Sequence, residues 1–253
     1  MNSHPNSTNV ERPVSVLSGW LMLPVLIAWQ VGCIVMFINL VGQLSRGGGG
    51  AGWWIPLILA HVIGVVCLIG FFTLQPNEAR VLVLFGSYKG SVRTPGFHWG
   101  NPFYSRAATQ GGGKVVRTKI SLRSRNFNSD KLKVNDKRGN PIEIAAVVVW
   151  RVQDTAQALF DVDDYETYVR VQSESAVRHI ASCYSYDQGE EDEPTLRSNA
   201  DEVATAMAAE LQERLNKAGV VVEEARLTHL AYAQEKQARR PKAYAGGTRT
   251  SSK

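Results

Sequence analysis

Two long apolar stretches near the N-terminus dominate the hydrophobic pattern of this chain. The first covers residues 16–44 and the second covers residues 53–74, with a glycine-rich segment at 47–50 between them. A helix rises about 1.5 Å per residue, so about 20 apolar residues cross a hydrocarbon core of about 30 Å. Both stretches reach that length. The pattern therefore predicts a transmembrane hairpin of two helices over residues 16–75, preceded by a polar leader over residues 1–15.

Tryptophans lie near the predicted ends of these helices. Trp20, Trp53 and Trp54 occupy positions where amphipathic indole rings favour the membrane–water interface, whereas Trp29 falls outside that belt. We predict the first three as membrane-interface residues. A secretory signal peptide would be shorter and would follow a basic leader. Buried helices of a soluble core would each have a polar face, which neither stretch has, so both alternatives are disfavoured.

Basic residues flanking the hairpin predict its orientation. Arg12 precedes it, Arg80, Lys89 and Arg93 follow it, and Arg46 is the one basic residue between the helices. Because Lys and Arg are enriched in cytoplasmic flanks, both termini are expected in the cytoplasm. This predicts a multi-pass protein of the cell (inner) membrane with a cytoplasmic domain. A re-entrant wedge in one leaflet is the alternative.

Beyond the hairpin, the hydrophobic period changes from strands to helices and back. Alternating or β-branched runs predict strands at residues 79–85, 114–122, 131–135, 141–152 and 220–232. The strand at 141–152 is apolar on both faces in its middle, so it should be covered on both sides. A hairpin turn is expected at residues 136–140.

Capping residues mark the predicted helices. Asp154 can begin a short helix that ends at Phe160, and Asp163 or Asp164 can begin a longer one that ends at Tyr184. Ser198 opens another helix, with apolar residues every four positions and Gly219 as its C-terminal stop. The order of strands, helices and a last strand predicts an α+β domain, in which amphipathic helices pack one small, mostly antiparallel sheet.

An unusual aromatic segment covers residues 91–103. It interleaves Pro and Gly with Phe97, Trp99 and Phe103, which predicts an ordered loop or tight hairpin. The aromatic side chains either pack into the core or enter the bilayer interface. Since the domain begins directly after the apolar stretches, we include these three residues among the candidate membrane-interface residues.

Composition limits the choice of partners. The chain has 253 residues and a net charge of +5, which suits an anionic inner membrane surface. Because acidic and basic residues are interspersed, this net charge is only weak evidence for a nucleic-acid partner, and none is expected. One basic series is expected either as an exposed strand face or as a contact with anionic lipid, and it consists of Lys114, Arg117, Lys119, Arg123 and Arg125.

Candidate catalytic and metal-binding residues are sparse. His179 and Cys183 lie four residues apart on a predicted helix, but no second ligand pair is nearby, so a structural role is expected. The three cysteines form no CxxC pair. Ser173, Glu174 and His179 match a hydrolase triad only by residue type, without a Gly-x-Ser-x-Gly elbow. We therefore predict a protein that is not an enzyme and has no catalytic, cofactor-binding or metal-binding residues.

Several segments, in a characteristic order, resemble the SPFH or band 7 family of stomatins, prohibitins, flotillins and bacterial relatives. After the membrane anchor come residues 75–81 (QPNEARV), 95–99 (PGFHW), a strand that ends at 149–152 (VWRV), the helix with Val177 and Arg178, and residues 221–233. The resemblance covers about residues 75–234. It implies an SPFH-like domain at residues 76–234.

The resemblance also implies a function. Members of this family are membrane-anchored scaffolds that assemble into large rings or cages and organise membrane microdomains, and some restrain membrane proteases. The expected partners are membrane lipids and further copies of the chain. An adaptor that regulates a membrane protease or transporter is the alternative function.

The C-terminal segment departs from the family pattern. Relatives usually continue into a long Ala/Glu-rich coiled-coil helix, whereas here Pro241 and a Gly/Ser/Thr-rich end would stop such a helix. Residues 235–253 are therefore expected to form a flexible basic tail where the coiled coil would begin. Assembly through a coiled coil does not follow from this sequence.

Overall fold

The fold is taken from a computed structural model of the chain, which describes residues 9–46, 51–105, 107–109, 115–187 and 194–233. Its N-terminal elements are β1 (Leu17–Ser18), α1 (Gly19–Ser45), a 3₁₀ turn (Ala51–Trp53), α2 (Trp54–Leu68) and β2 (Phe71–Leu74). Short strands follow: β3 (Glu78–Leu84), β4 (Ser87–Val92), β5 (Gly96–Trp99), β6 (Ala107–Thr109), β7 (Val115–Arg117), β8 (Lys119–Ser121), β9 (Arg125–Asn128) and β10 (Leu132–Asn135). The remainder is β11 (Pro141–Val152), α3 (Thr155–Phe160), α4 (Tyr165–Cys183), α5 (Ala200–Leu215), a 3₁₀ turn (Asn216–Ala218) and β12 (Val220–Tyr232).

The two apolar stretches form helices of unequal length. Helix α1 has 27 residues, so it is about 40 Å long, and among the described residues it is the one helix long and apolar enough to cross a membrane. Helix α2 has 15 residues, or about 22 Å. The predicted second span over residues 53–74 is therefore wrong in its last part, where β2 replaces helix.

Local hydropathy did not locate the C-terminal end of α2, because a short apolar run does not distinguish a helix from a buried strand. The deciding contacts are distant in sequence. The N–H of Gly100 donates to the carbonyl of Gly70 at 3.1 Å. Directly beyond it, β2 pairs with β5 in antiparallel register, with Phe71 opposite Trp99.

Helices α1 and α2 pack against each other through a seam with polar contacts. Trp29 Nε1 donates to the carbonyl of Ala60 at 3.2 Å, and Gln30 Nε2 donates to the carbonyl of His61 at 3.4 Å. A Cβ atom at Gly64 would lie 2.8 Å from Gln30 Nε2 and 2.9 Å from Trp29 Cδ1, so only glycine leaves room for both side chains. This seam explains why Trp29 lies away from the interfacial tryptophans.

A three-stranded sheet, β1–β5–β2, lies at the base of these two helices. Strand β5 is central, with β1 on one side and β2 on the other. Leu17 pairs with Trp99 just before α1 begins, and Phe71 pairs with the same residue just after α2. The sheet therefore brings the start of α1 and the end of the α2 segment to neighbouring positions.

Strand β3 separates two hydrophobic clusters. Val81 and Val83 belong to the large core of the domain, whereas Leu82 packs with Leu74 and Val92 in a smaller cluster. Adjacent residues of a strand point to opposite faces, which accounts for this division. β3 is paired with β4 on one side and with β8 on the other.

The largest sheet is organised around β11. It pairs with β12 along one edge and with β9 and β10 along the other, in antiparallel register throughout. Helices α4 and α5 contribute Val177, Ile180, Met207 and Leu211 to the buried core against this sheet. The predicted strands at 141–152 and 220–232 are confirmed with the same bounds.

An α+β fold is confirmed, but the prediction of one small sheet is wrong, since the described residues form several. The predicted strand at 114–122 divides around Thr118 into β7 and β8, which pair with β6 and β3 respectively. The predicted aromatic loop contains β5 and the end of β4. Which strands pair is decided by distant contacts that local periodicity does not reveal.

The helix caps follow the local signals closely. Asp154 Oδ1 accepts from the N–H groups of Ala156 and Gln157, and Asp164 Oδ1 accepts from those of Glu166 and Thr167. Helix α5 begins after Asn199 rather than at Ser198. Gly219 follows the last turn with φ +63°, a conformation that glycine adopts without strain.

Some predicted segments lie outside the described residues. They are the glycine-rich segment at 47–50, most of the acidic break over 187–193 and the tail at 235–253.

Candidate functional site

Aromatic side chains surround the base of the two apolar helices. Phe97 on β5 stacks on Phe71 of β2 with ring centroids 5.1 Å apart, and it meets the edge of Trp20 at 5.5 Å. Trp99 Nε1 donates to the carbonyl of Cys67 at 2.9 Å, near the end of α2. We refer to Trp20, Phe71, Phe97 and Trp99 as the aromatic collar.

The collar joins the domain to both helices. Because side chains alternate along a strand, Phe97 and Trp99 lie on the same face of β5. Both are half-buried, while Trp20 is 74% exposed at the start of α1. Of the predicted interface residues, the structure thus brings Trp20, Phe97 and Trp99 together.

The other tryptophan candidates lie at the opposite end of α2. Trp53 is exposed, and Trp54 meets the edge of Phe37 with ring centroids 5.3 Å apart. Aromatic residues therefore mark both ends of α2, as in the aromatic belts of membrane-spanning helices.

Two further phenylalanines outside the collar are exposed. Phe103, a predicted candidate, is 59% exposed, and Phe85 is 83% exposed with its ring centroid 6.1 Å away. The loop that carries Phe103 follows Gly100, whose N–H is bonded to the end of the α2 segment. Together, Phe85 and Phe103 form an exposed apolar pair close to the hairpin base, which we call the aromatic tip.

Sequence reasoning missed Phe85, which forms a tight turn with Gly86. Leu84 pairs with Ser87, so the turn has two residues, and both have positive φ, +48° for Phe85 and +84° for Gly86. Asn-Gly is the usual sequence of such a turn, and a bulky residue at positive φ is strained. A Phe-Gly pair at the end of the strand predicted over residues 79–85 was the available signal.

The described part of the leader, residues 9–15, is an integral part of the folded domain, which the sequence did not indicate. Its backbone pairs with β4, where Val14 N donates to Ser91 O at 3.0 Å and Ser91 N donates to Arg12 O at 2.8 Å. Val14 and Val16 pack on the smaller core cluster. The leader therefore lies across the domain directly before α1.

Glu11 anchors this leader electrostatically. Its carboxylate accepts from Arg93 Nε at 2.5 Å and from the N–H of Thr155 at 2.7 Å. Arg93 lies just after β4 and Thr155 begins α3, so Glu11 joins two separate parts of the domain. Burial raises the pKa of the Glu11 carboxyl, but the bonds from Arg93 and Thr155 outweigh burial, so this pKa lies below its ordinary value.

The basic series does not form one continuous face. Lys119 on β8 bonds Glu78 at 2.6 Å, whereas Arg125 on β9, in a different sheet, pairs with Glu166 and lies over the ring of Trp150. Lys114 lies outside the described residues. The acidic partners offset part of the positive charge that anionic lipid would meet.

The candidate triad is not assembled. Ser173 is fully buried, and its hydroxyl has no hydrogen-bond partner among the described residues. His179 instead bonds Glu210 at 2.8 Å through Nδ1, and its Nε2 lies 3.7 Å from Cys183 Sγ. Within the described ranges, no three His, Cys, Asp or Glu side chains are placed to hold a metal ion.

These features define an α+β domain that includes chain from both before and after a pair of apolar helices, the first of which is long and apolar enough to cross a membrane. The family model described as "SPFH domain / Band 7 family" matches residues 72–240. The chain belongs to this family. None of the curated proteins compared with the chain matches it. Family membership supports a membrane-associated scaffold of the SPFH type, a class of proteins that are generally not enzymes.

Protonation of Glu11 is expected to loosen the leader. Because the folded-state pKa is lowered, this carboxylate stabilises the fold fully above the unfolded value of about 4.3, and the contribution is lost as the pH falls below it. Glu11→Gln should raise hydrogen exchange at Thr155 at pH 7 and weaken leader attachment by on the order of 1 kcal/mol. Lowering the pH from the unfolded pKa towards the lower folded-state pKa of Glu11 should progressively reduce the protection of Thr155 in the unmodified protein, after correction for the pH dependence of intrinsic exchange.

Hydrogen–deuterium exchange of the full-length protein in detergent, followed by mass spectrometry, measures the protection of the Thr155 N–H. Glu213→Gln, at an exposed position on α5, serves as the matched control and should leave exchange at Thr155 unchanged. Equal protection in Glu11→Gln and the unmodified protein would contradict a stabilising role for the carboxylate.

Proposed function

We propose that this protein is a membrane-anchored scaffold whose α1–α2 hairpin enters the bilayer, and whose domain oligomerises and organises membrane microdomains. The observation that carries the proposal is the β1–β5–β2 sheet. It pairs both ends of the apolar hairpin with one strand of the SPFH domain, at Leu17 and at Phe71. Family membership supports the scaffold role.

The paired ends favour a hairpin that enters and leaves on the same side of the membrane. Two neighbouring strands of one small sheet cannot lie on opposite sides of a bilayer. Arg12 and Arg80 flank these ends and favour the cytoplasmic side. We therefore propose a cell-membrane protein with two crossings, both termini and the domain being cytoplasmic.

The short α2 is compatible with two crossings. The 3₁₀ turn at Ala51–Trp53 extends the helical path before α2, and Gly70 extends the chain beyond it towards the collar. A segment shorter than the hydrocarbon core is accommodated by local thinning of the bilayer and by anchoring residues at its ends. Trp53 and Trp99 provide such anchors.

The collar and the aromatic tip would hold the domain against the membrane. Exposed aromatic rings lose contact with water when they enter the interface, which is favourable at about 25 cal/mol per Å² of apolar surface. The backbone of Phe85 is strained at its positive φ, and its ring is 83% exposed, so the ring has no packing role in the core. Interfacial insertion accounts for a bulky residue at this turn.

Replacement of Phe85 separates membrane contact from folding. Phe85→Asn should keep the turn, because Asn-Gly suits two positive φ values, and should raise domain stability by up to about 1 kcal/mol. The same variant should reduce lipid contact at the tip. An environment-sensitive fluorophore attached at position 87 should show a polar shift in nanodiscs containing anionic lipid, relative to the protein that retains Phe85.

Asp130→Asn, in the exposed connection between β9 and β10, is the control and should leave the fluorescence unchanged. If the fluorophore reports water in nanodiscs even when Phe85 is present, the tip does not contact lipid.

Assembly is tested by the native size of the complex. Extraction of the full chain with a mild detergent, followed by native electrophoresis and mass photometry, should give a species many times the mass of one 27.8 kDa chain. A strict monomer, both in detergent and after cross-linking in native membranes, would contradict the scaffold function.

A further inference from the structure

His61 lies near the centre of the proposed hairpin. From His61 to the hairpin base at Gly70 the chain rises about 13 Å, and from Gly19 to Gln30 it rises about 16 Å. The hydrocarbon core is about 30 Å thick. His61 and Gln30 therefore both lie near its midplane when the hairpin base is at the membrane–water interface.

Polar groups at this depth are satisfied only in part across the helix seam, since Gln30 Oε1 is buried there without a hydrogen-bond partner among the described residues. Trp29 and Gln30 donate to carbonyls of α2. His61 accepts only through its backbone carbonyl, and no hydrogen bond from a described residue reaches its imidazole. The side chain is exposed at the flank of the seam.

A cleft lies beside this imidazole. It has a volume of about 260 Å³ and is almost entirely apolar, with Cys33, Ile34, Phe37, Leu57 and Ile58 completing its lining. In hydrocarbon no water is available to pair with the imidazole, and an unpaired polar group there costs free energy. Polar side chains within membranes therefore face protein partners rather than lipid.

We propose that the flank formed by His61 and this cleft is the contact between the hairpins of two copies of this chain. A neutral imidazole has one donor and one acceptor nitrogen, so two His61 side chains can form a hydrogen bond. The second copy places its own His61 at the same depth, because both domains stand at the same height above the membrane. The inference rests on the proposed anchorage and assembly of the scaffold.

Disulfide cross-linking in native membranes tests this contact. Cys33→Ala, Cys67→Ala and Cys183→Ser remove the native thiols of the full chain, and a single cysteine then replaces His61. Oxidation with copper phenanthroline should give a disulfide-linked dimer for His61→Cys. The matched control is Val62→Cys, at the adjacent exposed position about 100° around the helix, and its dimer yield should be several-fold lower.

The outcomes separate this inference from the function on which it rests. A dimer yield for Val62→Cys equal to or above that for His61→Cys, in a complex of unchanged native size, overturns the inference and leaves the scaffold intact. Linkage of His61→Cys to a different protein instead of a second copy also overturns it. If the native complex is a monomer, the scaffold function itself fails.

Discussion

The backbone hydrogen bonds of β5 are the constraint on which the rest of the structure depends. This strand pairs with β1 just before the first apolar helix and with β2 just after the second. The helices can therefore leave the domain only as a pair with adjacent ends. The same strand carries Phe97 and Trp99, so the element that fixes the ends of the hairpin also supplies the aromatic groups around its base.

The leader extends this attachment to the helical part of the domain. Glu11 links Arg93, just after β4, to Thr155 at the start of α3, and the Glu11 side chain is only 10% exposed. Such charge-assisted bonds are stronger than neutral ones, particularly where water is largely excluded. The chain upstream of α1 thus couples the hairpin to a region beyond the collar, and a displacement of the hairpin would be resisted at both places.

Local signals in the sequence predicted the elements more successfully than their pairing. The alternation over 141–152 and the caps Asp154 and Asp164 were sufficient because each depends on neighbouring residues. The β1 strand has two residues and no pattern of its own, so it could not be recognised. The end of α2 was missed because residues 71–74 are apolar in either conformation.

The candidate site shows the same distinction. Tryptophans and phenylalanines in the first half of the chain indicated a membrane interface, and the structure gathers Trp20, Phe97 and Trp99 at the base of the helices. Phe85 was missed because its exposure depends on a tight turn with two positive φ values. Glu11 was missed because its partners lie far along the chain, so its role requires the tertiary fold.

Cysteine accessibility tests the central claim most directly, namely that both ends of the hairpin lie on one side of the membrane. Single cysteines at Val10 in the leader, Val171 on α4 and Gly52 between the helices, all exposed positions, would be labelled with a membrane-impermeant maleimide in sealed vesicles of each orientation. The account predicts that positions 10 and 171 react from the same side and position 52 from the other. Reaction of positions 10 and 171 from opposite sides would contradict it, because β1 and β2 could not then share β5.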